Sequence, residues 1–126
     1  MKTLTLSLKK QWFDMIKSGE KKEEYRETSA YWISRLLKYC LGEICVAATK
    51  SMRTMTHFSE WVERHVNNGD WVKTFDNIVF TLGYPKAGDT ERRLEFKNPR
   101  IRIGTGRPEW GAEPGKLYFI ITWEEK

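Results

Sequence analysis

Leu4, Leu6 and Leu8 alternate with Thr3, Thr5 and Ser7, the two-residue period of a strand with one buried face. Ser7 is also placed to cap a helix over about Lys9–Ser18, in which Leu8, Trp12, Met15 and Ile16 share a face and Gly19 ends the run. Residues 21–28 read as a charged strand. Tyr31–Tyr39 suit a short helix, with Trp32, Leu36 and Tyr39 at helical spacing and Gly42 as the stop. Ile44–Thr49 is predicted as a short strand of small residues.

Phe58, Trp61, Val62, His65 and Val66 predict an amphipathic helix, ended by Asn67-Asn68-Gly69. Ile78, Phe80 and Leu82 alternate in the next strand, and Gly83-Tyr84-Pro85 opens a turn-rich connection. Leu94 and Phe96 share one parity while Ile101 and Ile103 share the other, so a bulge or a break at Asn98-Pro99 must reset the register. Leu117–Trp123 is nearly continuous in apolar residues, as a well-buried strand requires. The sum is about five or six strands with two or three helices, which favours a mixed α+β domain built on a curled sheet or a small barrel.

The chain has 126 residues, 40% of them hydrophobic and 31% charged, enough to bury a core and too apolar for a disordered segment. No repeat, low-complexity tract or linker divides it, so residues 1–126 are expected to form a single domain. No apolar run approaches the ~18 residues of a membrane span, and the first residues lack the stretch of a secretory signal. Two cysteines cannot staple a secreted scaffold, which makes the cytoplasm the expected compartment. Nothing calls for an oligomer, so a monomer is the default.

The net charge of +5 is unevenly spread. Residues 1–26 carry seven Lys/Arg against four acids, and residues 91–107 carry six against two. Residues 27–90 hold seven of each, and residues 108–126 hold two basic residues against four acids. Two separated basic stretches make either two solvated edges or, if folding joins them, one patch for an anionic partner.

Two constellations carry candidate chemistry. In Gly19-Glu20-Lys21-Lys22-Glu23-Glu24-Tyr25-Arg26, a strand would put Lys22, Glu24 and Arg26 on one side and Glu23, Tyr25 and Glu27 on the other. Such alternation makes a salt-bridged solvent face or a cleft wall. In a cleft Arg26 would grip a phosphate or base edge, Glu24 would accept a proton and Lys21 would supply an amine. The second constellation, Ile103 to Gly115, holds four of the nine glycines, two of the four prolines and an isolated Trp110. It is either a stiff turn capped by a packed tryptophan or a ligand loop whose backbone approaches closely and whose Trp110 stacks on a base. It has neither the third glycine of a dinucleotide fingerprint nor the Lys-Ser/Thr of a P-loop.

Cys40, Cys45, His57 and His65 lack zinc-finger spacing, so no metal or cofactor is expected. Cys45 and His65 read as core and His57 as surface. Trp12, Trp32, Trp61 and Trp123 also fall on apolar periodicities and read as core, with Trp71 open.

Leu6-Ser7-Leu8 and Trp12-Phe13-Asp14-Met15-Ile16-Lys17-Ser18-Gly19-Glu20-Lys21, running into Glu24-Tyr25-Arg26, resemble the opening of the ASCH domains, a PUA-like superfamily. The family pattern is roughly a helix, Gly-x-Lys-Thr-x-Glu-x-Arg and a strand. Phe75-Asp76-Asn77-Ile78-Val79-Phe80, Gly83-Tyr84 and the Ile103-Gly-Thr-Gly-Arg-Pro-Glu-Trp-Gly-Ala run resemble a compact bacterial and phage subgroup with a Pro-Glu-Trp-Gly loop. The resemblance implies a small β-barrel ringed by helices, with a cleft for RNA or a nucleotide lined by Lys21, Glu24 and Arg26. One ASCH branch is similar to amidohydrolases that remove the acetyl group of N4-acetylcytidine with a lysine, a threonine and a glutamate. Lys21 matches that lysine, Glu24 stands at the threonine, and Glu109 is the candidate for the glutamate. Lys22 stands where the family usually has threonine, and Glu23 where it has an apolar residue.

Three functions remain. The first is RNA or nucleotide binding, with Lys21, Lys22, Arg26, Arg100, Arg102 and Arg107 meeting phosphates while Trp110 stacks. The second is hydrolysis of a modified nucleoside or of RNA, with Lys21 and Glu24 or Glu109 as base and acid. The third is an adaptor that meets another protein through its basic face. The charge layout favours the first.

Overall fold

Burial follows the leucine alternation at the start of the chain: Leu4, Leu6 and Leu8 are buried on β1 (Thr3–Leu8), while Thr3 and Thr5 are exposed. The computed structural model describes residues 2–38, 60–69 and 71–125. Along the chain follow α1 (Lys10–Lys17), β2 (Glu24–Glu27), α2 (Ala30–Leu36), α3 (Glu60–Asn67), β3 (Asn77–Leu82), β4 (Arg93–Thr105), a single 3-10 turn at Pro108–Trp110 and β5 (Leu117–Glu124). The sequence thus yields an α+β chain, with five strands and three helices among the described residues.

The strands form one mixed sheet in the order β1-β3-β4-β5-β2, with β1 and β2 at its ends. β1 runs parallel to β3, from Thr3 opposite Asn77 to Leu8 opposite Leu82. β3 runs antiparallel to β4, from Asn77 opposite Lys97 to Thr81 opposite Arg93. Among the described residues this sheet is not closed.

The parity change in β4 is resolved without breaking the strand. Asn98 adopts φ +51°, a left-handed conformation that asparagine tolerates better than most residues. Its N–H donates to the Asp76 carbonyl at 3.0 Å, and its side chain donates to Glu124 Oε2 at 2.9 Å. Beyond it Ile101 and Ile103 are buried, and Arg100 and Arg102 are exposed.

Several boundaries differ from expectation. Ser7 pairs with Thr81 inside the sheet and is therefore not the helix cap. Lys9 holds the cap position of α1, with no side-chain hydrogen bond. Phe13 and Ile16 are the buried residues of α1, whereas Trp12 and Met15 are half-buried. The charged strand is limited to Glu24–Glu27, so Lys21 and Lys22 precede it. Gly19 and Gly69 end α1 and α3 at φ +85° and +87°. Tyr39, Gly42, the Ile44–Thr49 strand, Phe58, Cys40, Cys45 and His57 lie outside the described residues, as do the side chains of Trp61 and Val62.

Packing divides the chain into two compact units, both assembled from separated stretches. The first comprises Met1–Glu24, Thr74–Arg100 and Thr122–Lys126. Its core holds the β1 leucines with Phe13, Ile16, Ile78 and Phe80. The Phe80 ring lies 4.8 Å from that of Trp123 and 6.0 Å from that of Phe96. Buried Asn77 joins this unit's strands through its side chain, accepting from Thr3 Oγ1 and donating to Glu95 Oε2, both at 2.7 Å.

The second unit comprises Tyr25–Lys73 and Ile101–Ile121. Ile33, Leu36, Leu37, Val66, Val72, Ile101, Ile103 and the run Tyr118–Ile121 are buried there. Asn67, at the end of α3, uses its side-chain amide as a strand would. Its Oδ1 accepts from the Ile103 N–H at 2.7 Å, and its Nδ2 donates to the Ile103 carbonyl at 3.3 Å. His65 is half-buried and stacks on Trp71, with centroids 4.7 Å apart and planes 9° apart.

Candidate functional site

Both constellations have defined geometry. In the first unit, the left-handed Gly19 reverses the chain after α1, and the Lys21 N–H then donates to the Met15 carbonyl at 3.0 Å. This return turns the Lys21 side chain inward, where it is only 2% exposed. Its Nζ lies 2.8 Å from Glu24 Oε1 and 4.5 Å from the Trp12 ring centroid. Glu24, the first residue of β2, is 6% exposed.

A lysine at such depth needs a carboxylate and π-electron density to replace its hydration. Chemically, the pair is an ammonium donor and a carboxylate acceptor held in contact and closed to solvent. Lys22, by contrast, points outward and meets Glu125 at 2.9 Å, both side chains being about 60% exposed: 59% and 61%.

In the second unit, the loop after β4 is fixed by two tyrosine hydroxyls. Tyr25 Oη accepts from the Arg107 N–H at 3.0 Å, and Tyr118 Oη accepts from the Glu113 N–H at 3.0 Å. The two rings lie 5.7 Å apart and pack with Ala112 and Ile120. Gly106 is necessary here, because a Cβ would stand 2.6 Å from Tyr25 Cε1 and 2.7 Å from Ala112 Cβ. Between the pins the loop tightens on itself, the Arg107 carbonyl accepting from Trp110 at 3.0 Å and Ala112 at 3.2 Å.

On this turn Arg107 is exposed and Trp110 is half-buried. The guanidinium carbon lies 4.9 Å from the indole centroid, and the Arg107 side chain is 63% exposed. Glu109 meets Arg107 at 3.7 Å, a long and exposed pair that leaves the cation accessible. Lys116 lies close to the same loop, 3.0 Å from Glu27 Oε1 and 5.2 Å from the Tyr118 centroid. The Glu27 hydrogen bond holds the Lys116 ammonium above the ordinary lysine value, against the opposing effect of its partial burial.

The remaining predicted residues fall in different settings. Arg26 is half-buried, its guanidinium 5.0 Å from the Trp32 centroid. Arg100 and Arg102 are exposed on β4. Among the described residues, no three of His, Cys, Asp and Glu gather as metal ligands.

Sequence reasoning missed four contributors. Trp12 and Trp32 read as core, yet both are half-buried and carry cations on their faces. Tyr25 figures in the sequence only as a strand-face residue and Tyr118 only within an apolar run, because a hydroxyl pin on a distant loop has no local pattern. No family model, curated protein or solved structure matches the chain.

Proposed function

We propose that this chain binds RNA or a nucleotide through the Arg107–Trp110 loop of its second unit. The observation that carries the reading is the guanidinium of Arg107 lying over Trp110 on a turn pinned by Tyr25 and Tyr118. A planar cation paired with an aromatic ring offers a phosphate contact and a stacking surface side by side. Because the loop is already fixed, little ordering is needed on binding. Exposed Arg102 adds positive charge within the same unit. Lys22 and Arg100 belong to the first unit and enter as part of the basic surplus. The small PUA-like barrel implied by the resemblance to ASCH domains, and the cytoplasmic setting expected from the two cysteines, belong to this same proposal.

Titrating fluorescent RNA into the protein tests it. Affinity should fall steeply as salt rises from about 50 mM to about 200 mM, as phosphate neutralisation requires. Salt-insensitive binding, or none to RNA or mononucleotides, contradicts the reading.

A second reading, hydrolysis of an acetylated nucleoside, is favoured by the Lys21–Glu24 pair, an amine and a carboxyl group held 2.8 Å apart as proton donor and acceptor. It ranks lower because substrate reaches Lys21 Nζ only if the side chains covering it move. Glu109 lies on the exposed loop of the other unit. Turnover of N4-acetylcytidine by the wild type, abolished in Lys21→Ala, would reverse this ranking.

A further inference from the structure

α2 presents a second cation–aromatic cluster, independent of the glycine-rich loop. Trp32 is half-buried and has two arginines near its ring, Arg26 at 5.0 Å and Arg35 at 5.5 Å. Tyr31 stands edge-on to Trp32, with centroids 5.0 Å apart and planes at 90°. Its hydroxyl accepts from Arg35 at 2.9 Å, which fixes the outer guanidinium. Tyr31 is nevertheless 58% exposed, one of two large hydrophobic side chains left so open among the described residues. α2 contains no acidic residue, and the nearby Glu27 is engaged by Lys116.

β2 connects this cluster to the first platform. Successive residues of a strand face opposite sides. Tyr25 reaches the Arg107 loop and Arg26 reaches Trp32, so the two arginine–tryptophan pairs are supported from neighbouring residues of one edge strand. Both lie in the second unit.

We infer that the Tyr31–Trp32–Arg35 cluster is a second base-stacking site, and that the partner is single-stranded RNA. This inference rests on the RNA-binding reading and narrows it. Stacking on an exposed ring or on a guanidinium plane needs an unpaired base, which a duplex keeps inside its own stack. Two such platforms with positive charge beside them fit a flexible strand whose phosphates meet arginines while separate bases stack.

The test compares an unstructured oligouridylate of about ten nucleotides with the same strand in a duplex, using the full chain. The double variant Tyr31→Ala/Arg35→Gln changes only exposed side chains, and its circular dichroism should match the wild type. The wild type is expected to prefer the single strand, and the variant to bind it about tenfold more weakly, with little change on the duplex. Trp110→Ala reports separately on the loop. If Trp110→Ala weakens binding while the α2 variant matches the wild type, the second site is overturned and the loop reading stands. Equal wild-type affinity for strand and duplex overturns the choice of single-stranded RNA. No binding by the wild type to any RNA overturns both.

Discussion

The Arg107 N–H donates to the Tyr25 hydroxyl at 3.0 Å, across 82 positions of sequence. That bond joins the end of the first basic stretch to the end of the second, and Gly106 permits the approach by presenting no Cβ to the Tyr25 ring. Tyr25→Phe keeps the ring and removes the acceptor, and should lower stability by about 1 kcal/mol. Gly106→Ala forces the loop away from the ring, and should cost about 1–3 kcal/mol. Urea unfolding measures both. A Gly106→Ala protein as stable as the wild type would show that the close contact is not needed.

The Lys21–Glu24 pair should show a non-additive response. Lys21→Met leaves the buried Glu24 carboxylate without its 2.8 Å ammonium, and is expected to destabilise by about 3–5 kcal/mol. Lys21→Met combined with Glu24→Gln removes both charges and should recover a large part of that loss. A double-mutant cycle from denaturation midpoints decides the matter. Additive losses would mean that the two side chains act independently.

Lys116 and Glu27 provide a pH-dependent contribution. The Glu27 hydrogen bond raises the Lys116 value above 10.5 in the folded chain. The stabilisation is therefore fully present below about pH 10.5 and is lost as pH rises through the folded value. The wild type should exceed Glu27→Gln in stability by less than about 1 kcal/mol at neutral pH, since Glu27 is largely exposed. That gap should close above pH 10.5, as followed by denaturation of the two proteins in parallel.

Asn98 bears the backbone conformation that lets one strand serve two parities. Asn98→Val places a β-branched side chain at φ +51° and also removes the bond to Glu124. It should destabilise by about 1–3 kcal/mol, read as a lowered thermal midpoint. Asn98→Gly loses the same bond but tolerates the conformation, and should cost less.

The strands were legible wherever side-chain period and burial agree. The leucines of β1 and the apolar run of β5 each report a local environment that repeats along the chain, whereas in β3 Ile78 and Phe80 are buried as expected but Thr81 is buried too and Leu82 only half-buried. Even the register reset was readable, because the conflict between Phe96 and Ile101 located it within a few residues of Asn98. The division into two units was not. Three of its four boundaries fall within β2, β4 and β5, where no linker composition marks them.

The site was half legible for a similar reason. Gly19-Glu20-Lys21 and Gly104-Thr105-Gly106-Arg107 stand out as residue types with few structural uses. Their depth does not follow from type, and Lys21, expected as an amine at a cleft, is buried against Glu24 and Trp12. The guanidinium–ring pairs Arg107–Trp110, Arg35–Trp32 and Arg26–Trp32 are local in sequence, but residue type alone does not tell a ring that carries a cation from one that packs in the core.

The most direct test of the central claim is the salt dependence of RNA affinity in the wild type and in Arg107→Ala. If Arg107 contacts a phosphate, its removal should weaken binding and reduce the slope of log affinity against log salt by about one. A variant with unchanged affinity and an unchanged slope would contradict the assignment of the Arg107–Trp110 loop as the RNA-binding site.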